Sequence, residues 1–556
     1  MEEKIHLSLK DWLYNVGVVG FINILKYAGH EEEIEFNGQE VIIDSKVLEN
    51  FEEKYFNYFI NTYEKKLAWS KVVSYRNKIE YFEKENYSNF DKKAFENFNK
   101  YIENLKKYLK SNSHKAAYEL ISSDFPILEK EKNIQKIKLK KNESIEDRLE
   151  DVKRIIEKIK EVIDFYSLDE VKKYIAAKNV IYTIIKNAWN GISFLNPQTK
   201  EKNIYSDYKN YFPLSTFKYL NESKEKYKYD CFTCDNKIKK MDNDLGFLNA
   251  TGFDTSRKTS HVWNFVNDIA ICPVCKLIYS CVPAGFTYVY DKGIYVNANR
   301  SIAEAIKINN RVRMTILNDE EMNSNTTYRA MITAMSESIN NSSKYELSDI
   351  QVVRYENEKY RFNILSKKIL NLINNSKHEL DILIKAGYKE IDKYFRVYEE
   401  VMRNILNNEN MFLLIHKMLI LKLTKSNNAL FNGRHLLAVI NINFEYLKGV
   451  GEMKKIEKDA LKSYNGAGYY LKQAYKDKNS ENKLNGISYR LLNALKTNNN
   501  GMFMDTILNC YLYTGKKVPK FFIDCLQDIE TFKTIGYAFV SGLIDDKNNN
   551  LDGGDR

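Results

Sequence analysis

Proline and glycine are scarce in this chain, with 6 and 22 occurrences among 556 residues. So few prolines, in a chain with many aromatic residues, exclude long disordered tracts. No apolar run is as long as a membrane span, and the N-terminus lacks the basic and hydrophobic regions of an export signal. With 44% hydrophobic and 13% aromatic residues the chain can form folded cores, and we expect a cytoplasmic protein without membrane contact.

Sequence signatures of common enzymes are also missing. The chain contains no HExxH, no GxSxG and no glycine-rich phosphate loop, and its 7 histidines are scattered singly. We therefore expect no catalytic residues and a protein that is not an enzyme. Carboxylates that are distant in sequence can still converge on a metal ion, so a metal-dependent nuclease or RNA-processing enzyme stays open as the alternative.

Four of the 7 cysteines fall into two matched CxxC pairs, which are the most specific signal in the sequence. Cys231 and Cys234 form the first pair, and Cys272 and Cys275 form the second pair. Two such pairs supply the four thiolates of a tetrahedral metal site that has no open coordination position. The spacing predicts one structural Zn²⁺ ion, which would stabilise a small β-rich module rather than activate water.

Three other interpretations of these cysteines stay open. They can be ordinary buried thiols, or one pair can be a redox-active CxxC, although a thioredoxin-like βαβ context is not evident around either pair. His261, which lies between the pairs, can replace one cysteine as a ligand. The remaining Cys281, Cys510 and Cys525 stand in apolar surroundings and are predicted to be core residues.

Hydrophobic periodicity and chain length predict a mainly α-helical protein with small β-rich patches, an α+β protein of several domains. Alternation around turn signals predicts β-hairpins at residues 33–43, 284–297 and 349–365. The first is predicted to turn through a type I′ turn at Asn37-Gly38, and the second through Asp291-Lys292-Gly293. The expected domains are an N-terminal α+β domain (1–220), a zinc-binding module with its hairpin (221–300), an α+β or helical connecting region (301–440) and a C-terminal helical bundle (441–556).

Glycine pairs inside helical patterns receive two different interpretations. Gly17 and Gly20 stand in an apolar helical segment and favour the close approach of another backbone. Gly466 and Gly468 stand among polar and basic residues and are interpreted as punctuation between two short helices.

The net charge of +11 permits a polyanionic partner, and its distribution is more informative than its sum. Residues 446–520 contain 14 Lys and Arg against 6 Asp and Glu, a local charge of about +8, with tyrosines interleaved along predicted helices. Basic and aromatic side chains on one helix face suit a phosphate backbone and unstacked bases, although a solvated face over a core has the same pattern. The candidate nucleic-acid contacts in this region are Lys472, Lys476, Arg490 and Lys496.

A second group of candidate contacts lies close in sequence to the predicted zinc module. Arginine is scarce relative to lysine in this chain, so an arginine there carries more information than a lysine. Amide and guanidinium groups can reach into a DNA groove. The group comprises Lys186, Asn187, Asn190, Arg300, Arg311 and Arg313. Trp189, in the same segment, either packs against the zinc module or belongs to a loop that contacts nucleic acid.

Several stretches together resemble one known family. They are Lys10–Phe21, the paired CxxC motifs, Cys281–Phe286, Ile487–Leu495 and Lys517–Pro519, and they follow one another over essentially the whole chain. None of them is diagnostic alone. In combination, the chain resembles the Cst-type large subunit of type I-B CRISPR Cascade complexes.

The resemblance implies a non-catalytic subunit of a crRNA-guided antiviral complex, in which guide pairing reads the target sequence. The N-terminal part would recognise the protospacer-adjacent motif, help to open the duplex, stabilise the R-loop and dock against the crRNA 5′ end. The C-terminal bundle would resemble the small subunit, line the path of the DNA strands, and be made separately from an internal start at Met411 or Met453. The implied partners are crRNA, double-stranded target DNA, the backbone and other Cascade subunits, and a recruited helicase-nuclease that performs cleavage.

Overall fold

The computed structural model of the protein describes residues 4–140, 143–251, 269–289, 292–298, 301–318, 329, 350–356, 358–391, 393–424, 427–453 and 456–545. The chain divides into two compact units. Unit 1 comprises Met1–Asn310 and Val353–Arg361, and unit 2 comprises Arg311–Val352 and Phe362–Arg556.

Unit 1 is built mainly from amphipathic helices that bury one apolar face. Its helices are α1 (Trp12–Tyr27), α2 (Phe51–Thr62), α3 (Ala68–Val73), α4 (Arg76–Lys84), α5 (Lys92–Leu109), α6 (Asn112–Tyr118), α7 (Ile127–Lys132), α8 (Leu149–Tyr166), α9 (Asp169–Thr183), α10 (Ile204–Tyr211), α11 (Pro213–Asn221), α12 (Pro273–Ser280) and α13 (Val282–Gly285). The boundary between the units falls inside α14 (Ile302–Asn318). Short 3₁₀ helices lie at Ser45–Leu48, Glu64–Lys66, Glu146–Arg148, Ile185–Asn187, Ser193–Leu195 and Gly246–Thr251.

Small sheets accompany these helices. Strands β1 (Lys4–Ser8), β2 (Ile34–Asn37) and β3 (Glu40–Asp44) form a sheet in the order β1-β3-β2. Strands β4 (Tyr229–Asp230) and β5 (Lys237–Ile238) form a two-stranded ribbon. Strands β6 (Thr287–Val289), β7 (Lys292–Ala298), β8 (Ile350–Glu356) and β9 (Lys359–Leu365) form a sheet in that order, and the unit boundary falls inside β8 and β9.

Unit 2 is a helical bundle with one small sheet. Strands β10 (Gly387–Glu390), β11 (Lys393–Arg396) and β12 (Ala429–Leu430) pair in the order β11-β10-β12. The helices are α15 (Lys367–Asn375), α16 (Lys377–Ile382), α17 (Val397–Leu406), α18 (Phe412–Leu423), α19 (Gly433–Val450), α20 (Lys458–Asp477), α21 (Leu484–Lys496), α22 (Asn500–Thr514) and α23 (Ile529–Ile544), with 3₁₀ helices at Leu383–Lys385, Glu481–Lys483 and Lys520–Leu526. Helix α23 lies at the centre, packed against α18, α19, α20 and α21.

The mainly helical α+β class predicted from the sequence is confirmed. The finer division into four domains stays a prediction. In the described part of the chain, no helix is both long enough and apolar enough to cross a membrane.

The first predicted hairpin is present, but the prediction of a type I′ turn is wrong. Asn37 pairs with Glu40 across the hairpin, so the turn residues are Gly38 and Gln39. Of these two, Gly38 alone has a positive φ, at 61°. A type I′ turn requires positive φ at both central residues, so the single glycine defines a different turn.

The second and third predicted hairpins are also present, as β6–β7 and β8–β9. In the second, Lys292 and Gly293 are paired with Val289 and Tyr288 and already belong to β7, so the predicted turn is placed too far along the chain. Asp291 lies outside the described residues.

Helix α1 packs against α12 and α13 through glycines, as predicted. All side chains from Leu13 to Leu25 are buried. A Cβ added to Gly17 would collide with the carbonyl oxygen of Ile278, and one added to Gly20 would collide with that of Cys281. The absence of these side chains lets the helix backbones approach closely, which any larger residue would prevent.

The interpretation of Gly466 and Gly468 as a break between two short helices is wrong. Both residues lie inside α20, which runs without interruption from Lys458 to Asp477. A Cβ on Gly468 would collide with the carbonyl oxygen of Phe539 in α23. Tight packing between the two helices therefore offsets the low helix propensity of glycine at this position.

Candidate metal centre

The first CxxC pair lies in the tight loop between β4 and β5. The backbone N–H of Cys231 donates to the carbonyl oxygen of Asn236 at 2.9 Å, which closes the loop. Asp235, directly after Cys234, has a positive φ of 60° and reverses the chain. The Sγ atoms of both cysteines consequently lie within 4.8 Å of each other.

The second pair opens helix α12. Cys272 is the N-cap residue, and its sulfur accepts a hydrogen bond from the backbone N–H of Cys275 at 3.4 Å. Pro273 takes the first helical position, where its missing N–H leaves no hydrogen bond unmade. The backbone N–H of Cys272 also donates to Sγ of Cys231 at 3.1 Å, which joins the two pairs.

The structure thus brings together all four cysteines of the predicted metal site. Their Sγ atoms lie within 4.8 Å of one another, and Sγ of Cys234 is 3.6 Å from Sγ of Cys272. Three of the four residues are buried and Cys234 is half-buried. Among the described residues, no other group of three or more His, Cys, Asp or Glu side chains is spaced closely enough to hold a metal ion. The cluster can hold one metal ion through four sulfur ligands.

The surroundings of the sulfurs favour a bound cation. Hydrogen bonds with Cys234 and then with the other two thiols lower the pKa of Cys231, whereas the hydrogen bond with Cys231 raises the pKa of Cys275. Several thiolates cannot form together in a buried site unless a cation neutralises them. Metal ligation requires deprotonated sulfurs, and the backbone N–H donors at Cys272 and Cys275 stabilise that state.

Two tyrosines that sequence reasoning missed lie beside the cluster. The buried hydroxyl of Tyr14, in α1, is 4.0 Å from Sγ of Cys275. The hydroxyl of Tyr279 makes a 3.2 Å hydrogen bond with Oγ1 of Thr233, inside the first CxxC pair. Because Tyr14 is 261 positions from Cys275, only the fold could have revealed their contact.

The arrangement of the cysteines favours a metal site over a redox pair. A redox pair needs only two sulfurs, whereas both CxxC pairs converge here, and all seven cysteines are free thiols. His261 lies outside the described residues. The prediction that Cys281, Cys510 and Cys525 are core residues is confirmed, since all three are buried and burial raises the pKa of Cys525 to about 12.

Trp189 packs against the helix that carries the second CxxC pair. Its indole N–H donates to the carbonyl oxygen of Ser280, the last residue of α12, at 3.0 Å. Its ring meets those of Phe212 and Phe247, and the whole side chain is buried. The packing interpretation of Trp189 is confirmed.

The candidate nucleic-acid contacts beside Trp189 differ in exposure. Lys186 and Asn190 have exposed side chains. Asn187 is half-buried: its side-chain amide donates to the carbonyl of Thr183, and its own carbonyl oxygen accepts from the hydroxyl of Tyr360 at 2.9 Å. Lys186 and Asn190 are therefore better placed than Asn187 to meet another molecule.

The candidate arginines are placed differently from one another. Arg300 lies outside the described residues. Arg311 is exposed, whereas Arg313 is only 6% exposed. Successive helical residues are separated by about 100°, so two positions two apart face nearly opposite sides of α14. The expectation that both arginines are presented to DNA is corrected accordingly, because Arg313 faces inward.

The basic residues of the C-terminal region require one similar correction. Lys472 is 5% exposed, and its ammonium donates to the carbonyl oxygen of Asp545 at 3.0 Å, so it stabilises the bundle rather than facing a nucleic acid. Lys476 is exposed and forms an ion pair of 3.3 Å with Glu481. The two candidates on α21, Arg490 and Lys496, are exposed.

Comparison with known proteins bears on the segment around the cysteine cluster. The comparisons with curated proteins and with solved structures find no match. Residues 224–287 match the model of a family of CRISPR-associated proteins designated Cas_CXXC_CXXC. This segment extends from just before β4 to the start of β6 and contains all four cysteines of the cluster. The match indicates a CRISPR-associated protein.

Proposed function

We propose that the four cysteines hold one structural Zn²⁺ ion. Sites made of four sulfurs take zinc or iron–sulfur clusters. Two CxxC pairs, the first of them in a short β-ribbon, are typical of structural zinc, and the protein itself supplies all four ligands. Such an ion has no coordination position for water or substrate, which supports a role in holding the module together.

Metal analysis of the purified full-length chain tests the zinc site. We expect about one zinc per chain, without iron or acid-labile sulfide. The double variant Cys231→Ser with Cys272→Ser should lose the zinc. A matched control, Cys510→Ser with Cys525→Ser, removes two buried thiols from unit 2 and should keep it. Iron in place of zinc, or zinc retained by the first variant, contradicts the proposal.

We further propose that the chain is the non-catalytic large subunit of a crRNA-guided type I-B CRISPR interference complex. The observation that carries this proposal is the family match over residues 224–287, which coincides with the cysteine cluster. The resemblance of stretches from Lys10–Phe21 to Lys517–Pro519 supports the assignment to the Cst-type subunit. In such complexes guide pairing reads the target, so the protein needs a short-motif reader rather than a catalytic centre.

In this proposal unit 1 recognises the protospacer-adjacent motif and helps to open the duplex. The exposed Lys186 and Asn190 are the proposed contacts, because they flank Trp189, which is packed against the cysteine-bearing helix. A rigid support of this kind holds side chains at a defined position against a DNA groove. Arg300 remains a further candidate contact because a guanidinium group can bind a base edge. Arg311 belongs to unit 2 and stays a candidate contact of that unit.

Unit 2 is proposed to line the path of the DNA strands and to offer the docking surface for the recruited helicase-nuclease. The exposed Lys476, Arg490 and Lys496 are the proposed phosphate contacts. Tyr470 and Tyr489, 73% and 45% exposed on the same two helices, are available for stacking on unpaired bases. The wholly helical end of this unit supports its proposed likeness to the small subunit of such complexes.

The decisive experiment compares complexes assembled with and without this chain. The other complex subunits and a crRNA are co-expressed with or without it, and binding to a target duplex is measured with a correct and with a scrambled adjacent motif. We expect motif-dependent duplex binding only when the chain is present. Equal binding by the complex without it contradicts the proposed role.

Incubation of the purified chain with labelled DNA or RNA and Mg²⁺ or Mn²⁺ separates this role from that of a nuclease. A non-catalytic subunit leaves both substrates intact. Turnover that a single carboxylate substitution abolishes would establish the enzyme alternative instead.

Charge reversal tests the proposed surface of unit 2. In the assembled complex, replacing Lys476, Arg490 and Lys496 with Glu should weaken DNA binding by at least about 10-fold and lower its salt dependence, since each lost phosphate contact reduces the slope by about one. The matched control reverses three exposed lysines on α5, Lys93, Lys100 and Lys107, with the same change in net charge. Equal loss in both variants would point to net charge rather than to this surface.

A further inference from the structure

The side chain of Tyr14, in helix α1, reaches the cysteine cluster. The helices α1 and α12 approach each other closely where Gly17 faces the carbonyl of Ile278. Residues three apart lie on the same face of a helix. One turn before this contact in each helix stand Tyr14 and Cys275, and the Tyr14 hydroxyl oxygen lies 4.0 Å from the Cys275 sulfur.

The Tyr14 side chain is fixed by its neighbours. The carboxylate of Asp11 caps α1 and accepts a hydrogen bond from the backbone N–H of Tyr14 at 3.2 Å. The ring meets that of Tyr279 edge to face, with centroids 5.6 Å apart. The residue is 1% exposed, and in the described part of the chain the sulfur of Cys275 is the hydrogen-bond partner of its hydroxyl.

In this contact the Cys275 thiol donates to the Tyr14 hydroxyl oxygen. A metal-bound sulfur has lost this proton, so the phenol hydroxyl is then the group that can donate. A thiolate is a charged acceptor and forms a stronger hydrogen bond with the same donor.

We propose that the Tyr14 hydroxyl donates a hydrogen bond to the metal-bound thiolate of Cys275 and thereby couples metal binding to the docking of α1. The inference rests on the proposed metal occupancy of the cluster. Tyr14 is a positioning residue, since it orients and stabilises a ligand without binding the ion. The coupling is reciprocal: the ion strengthens the attachment of the N-terminal helix, and the helix slows the loss of the ion.

The test compares two tyrosines on the full-length protein. Tyr14→Phe removes the hydroxyl and keeps the ring. We expect it to weaken Zn²⁺ binding, and to speed Zn²⁺ release to a chelating dye, by about 10-fold. The sulfur-to-metal charge-transfer band of the Co²⁺-loaded chain should also shift. The control Tyr55→Phe removes an equally buried hydroxyl that donates to the carbonyl of Ser280, at the other end of α12, and should change neither measurement.

A third variant reports the coupling without altering any polar group at the cluster. Gly17→Ala adds a methyl group against the carbonyl of Ile278 and pushes α1 away from α12. It should speed Zn²⁺ release in the same direction as Tyr14→Phe.

The outcomes separate this inference from the metal site itself. A Tyr14→Phe chain with an unchanged band and release rate overturns the coupling, and so does an equal change in Tyr55→Phe, which would mark a general loosening of unit 1. A wild-type chain that binds neither Zn²⁺ nor Co²⁺ overturns the metal proposal together with the coupling.

Discussion

In each unit a helix packs closely against neighbouring helices through glycines, but the consequences of the packing differ. In unit 1, α1 meets α12 and α13 through Gly17 and Gly20, and in unit 2, α20 meets α23 through Gly468 and Gly542. At each of these glycines a Cβ would collide with a backbone carbonyl oxygen of the partner helix. The glycines therefore act by allowing two backbones to approach, not by bending or ending a helix.

The difference lies in what the close approach brings together. In unit 1 it carries a buried hydroxyl, that of Tyr14, to a cysteine of the four-cysteine cluster. In unit 2 it brings together polar groups outside the cysteine cluster, such as the amide of Asn465, which donates to the hydroxyl of Ser541 at 2.7 Å. The first pair of helices should therefore respond to metal, whereas the second should not.

Metal removal should have the largest effect on the difference between the helices of unit 1 and those of unit 2. Stripping the proposed zinc with a chelator, or replacing Cys231 and Cys272 with Ser, removes a binding free energy that reaches about 10 kcal/mol in small zinc domains. We expect hydrogen exchange to rise sharply in peptides of α1, α12 and α13 and to stay unchanged in peptides of α20 and α23. Equal protection of the unit 1 helices with and without metal contradicts the prediction.

Much of this site could be predicted from sequence because its chemistry is local. A CxxC pair places two sulfurs on one turn of backbone. The pairs Cys231 with Cys234 and Cys272 with Cys275 can therefore be recognised from the local sequence alone. The same is true of the hairpin of residues 33–43, whose strands flank a local turn signal. Gly17 and Gly20 were interpretable as contact residues since their apolar neighbours already indicated a buried helix.

The remainder depended on partners that are distant in sequence. Gly468 lies among polar and basic residues, and only the contact with Phe539 shows that it is a packing position. Charge alone makes Lys472 and Arg313 candidate contacts, but the packing of the surrounding helices decides which face of a helix is buried. Tyr14 carried no signal at all, because a tyrosine in an apolar helix is ordinarily a core residue.

Truncation of the chain tests whether α20 and α23, the helix pair of unit 2, need α18 and α19 in order to fold. Apart from Lys533, every side chain of α23 from Thr531 to Leu543 is buried, and Tyr537 packs against Phe412 and His416 of α18. A fragment starting at Met453 lacks α18 and α19 and exposes this side of α23. A fragment starting at Met411 keeps both helices and should fold.

Thermal unfolding of the two fragments, followed by near-ultraviolet circular dichroism, checks this prediction. We expect a cooperative transition for residues 411–556 and aggregation or a broad, non-cooperative change for residues 453–556. An internally started product would then begin at Met411. A sharp transition in the shorter fragment would show that α20 to α23 suffice.

A fall in pH should weaken unit 1 through His114, a buried residue that is not part of the cysteine cluster. His114 is fully buried, with Nδ1 bonded to the hydroxyl of Tyr166 and Nε2 bonded to the side-chain amide of Asn179, each at 2.9 Å. Burial lowers the pKa of His114 to about 4. In the unfolded chain the pKa of a histidine is about 6.5, so as the pH falls the unfolded chain is protonated at His114 before the folded chain.

The stability from His114 is therefore fully present above about pH 6.5 and is lost as the pH falls toward 4. Between pH 8 and pH 5 we expect a loss of about 2 kcal/mol in the free energy of unfolding. Denaturant unfolding at several pH values measures it. His114→Gln, which keeps hydrogen-bonding groups but cannot titrate, should show a shallower pH dependence, and an unchanged slope would contradict the assignment.

The smallest effects give the sharpest test of how the glycines work, because two of them stand two residues apart in α20. Gly468→Ala forces a methyl group against the carbonyl of Phe539 and should destabilise unit 2 by about 1–3 kcal/mol. Gly466 has open space around its Cα, so Gly466→Ala should stabilise the same helix by about 0.5–1 kcal/mol through helix propensity alone. Opposite signs in denaturant unfolding identify Gly468 as a contact position, whereas stabilisation by both substitutions would mean that α20 and α23 lie further apart than this close approach requires.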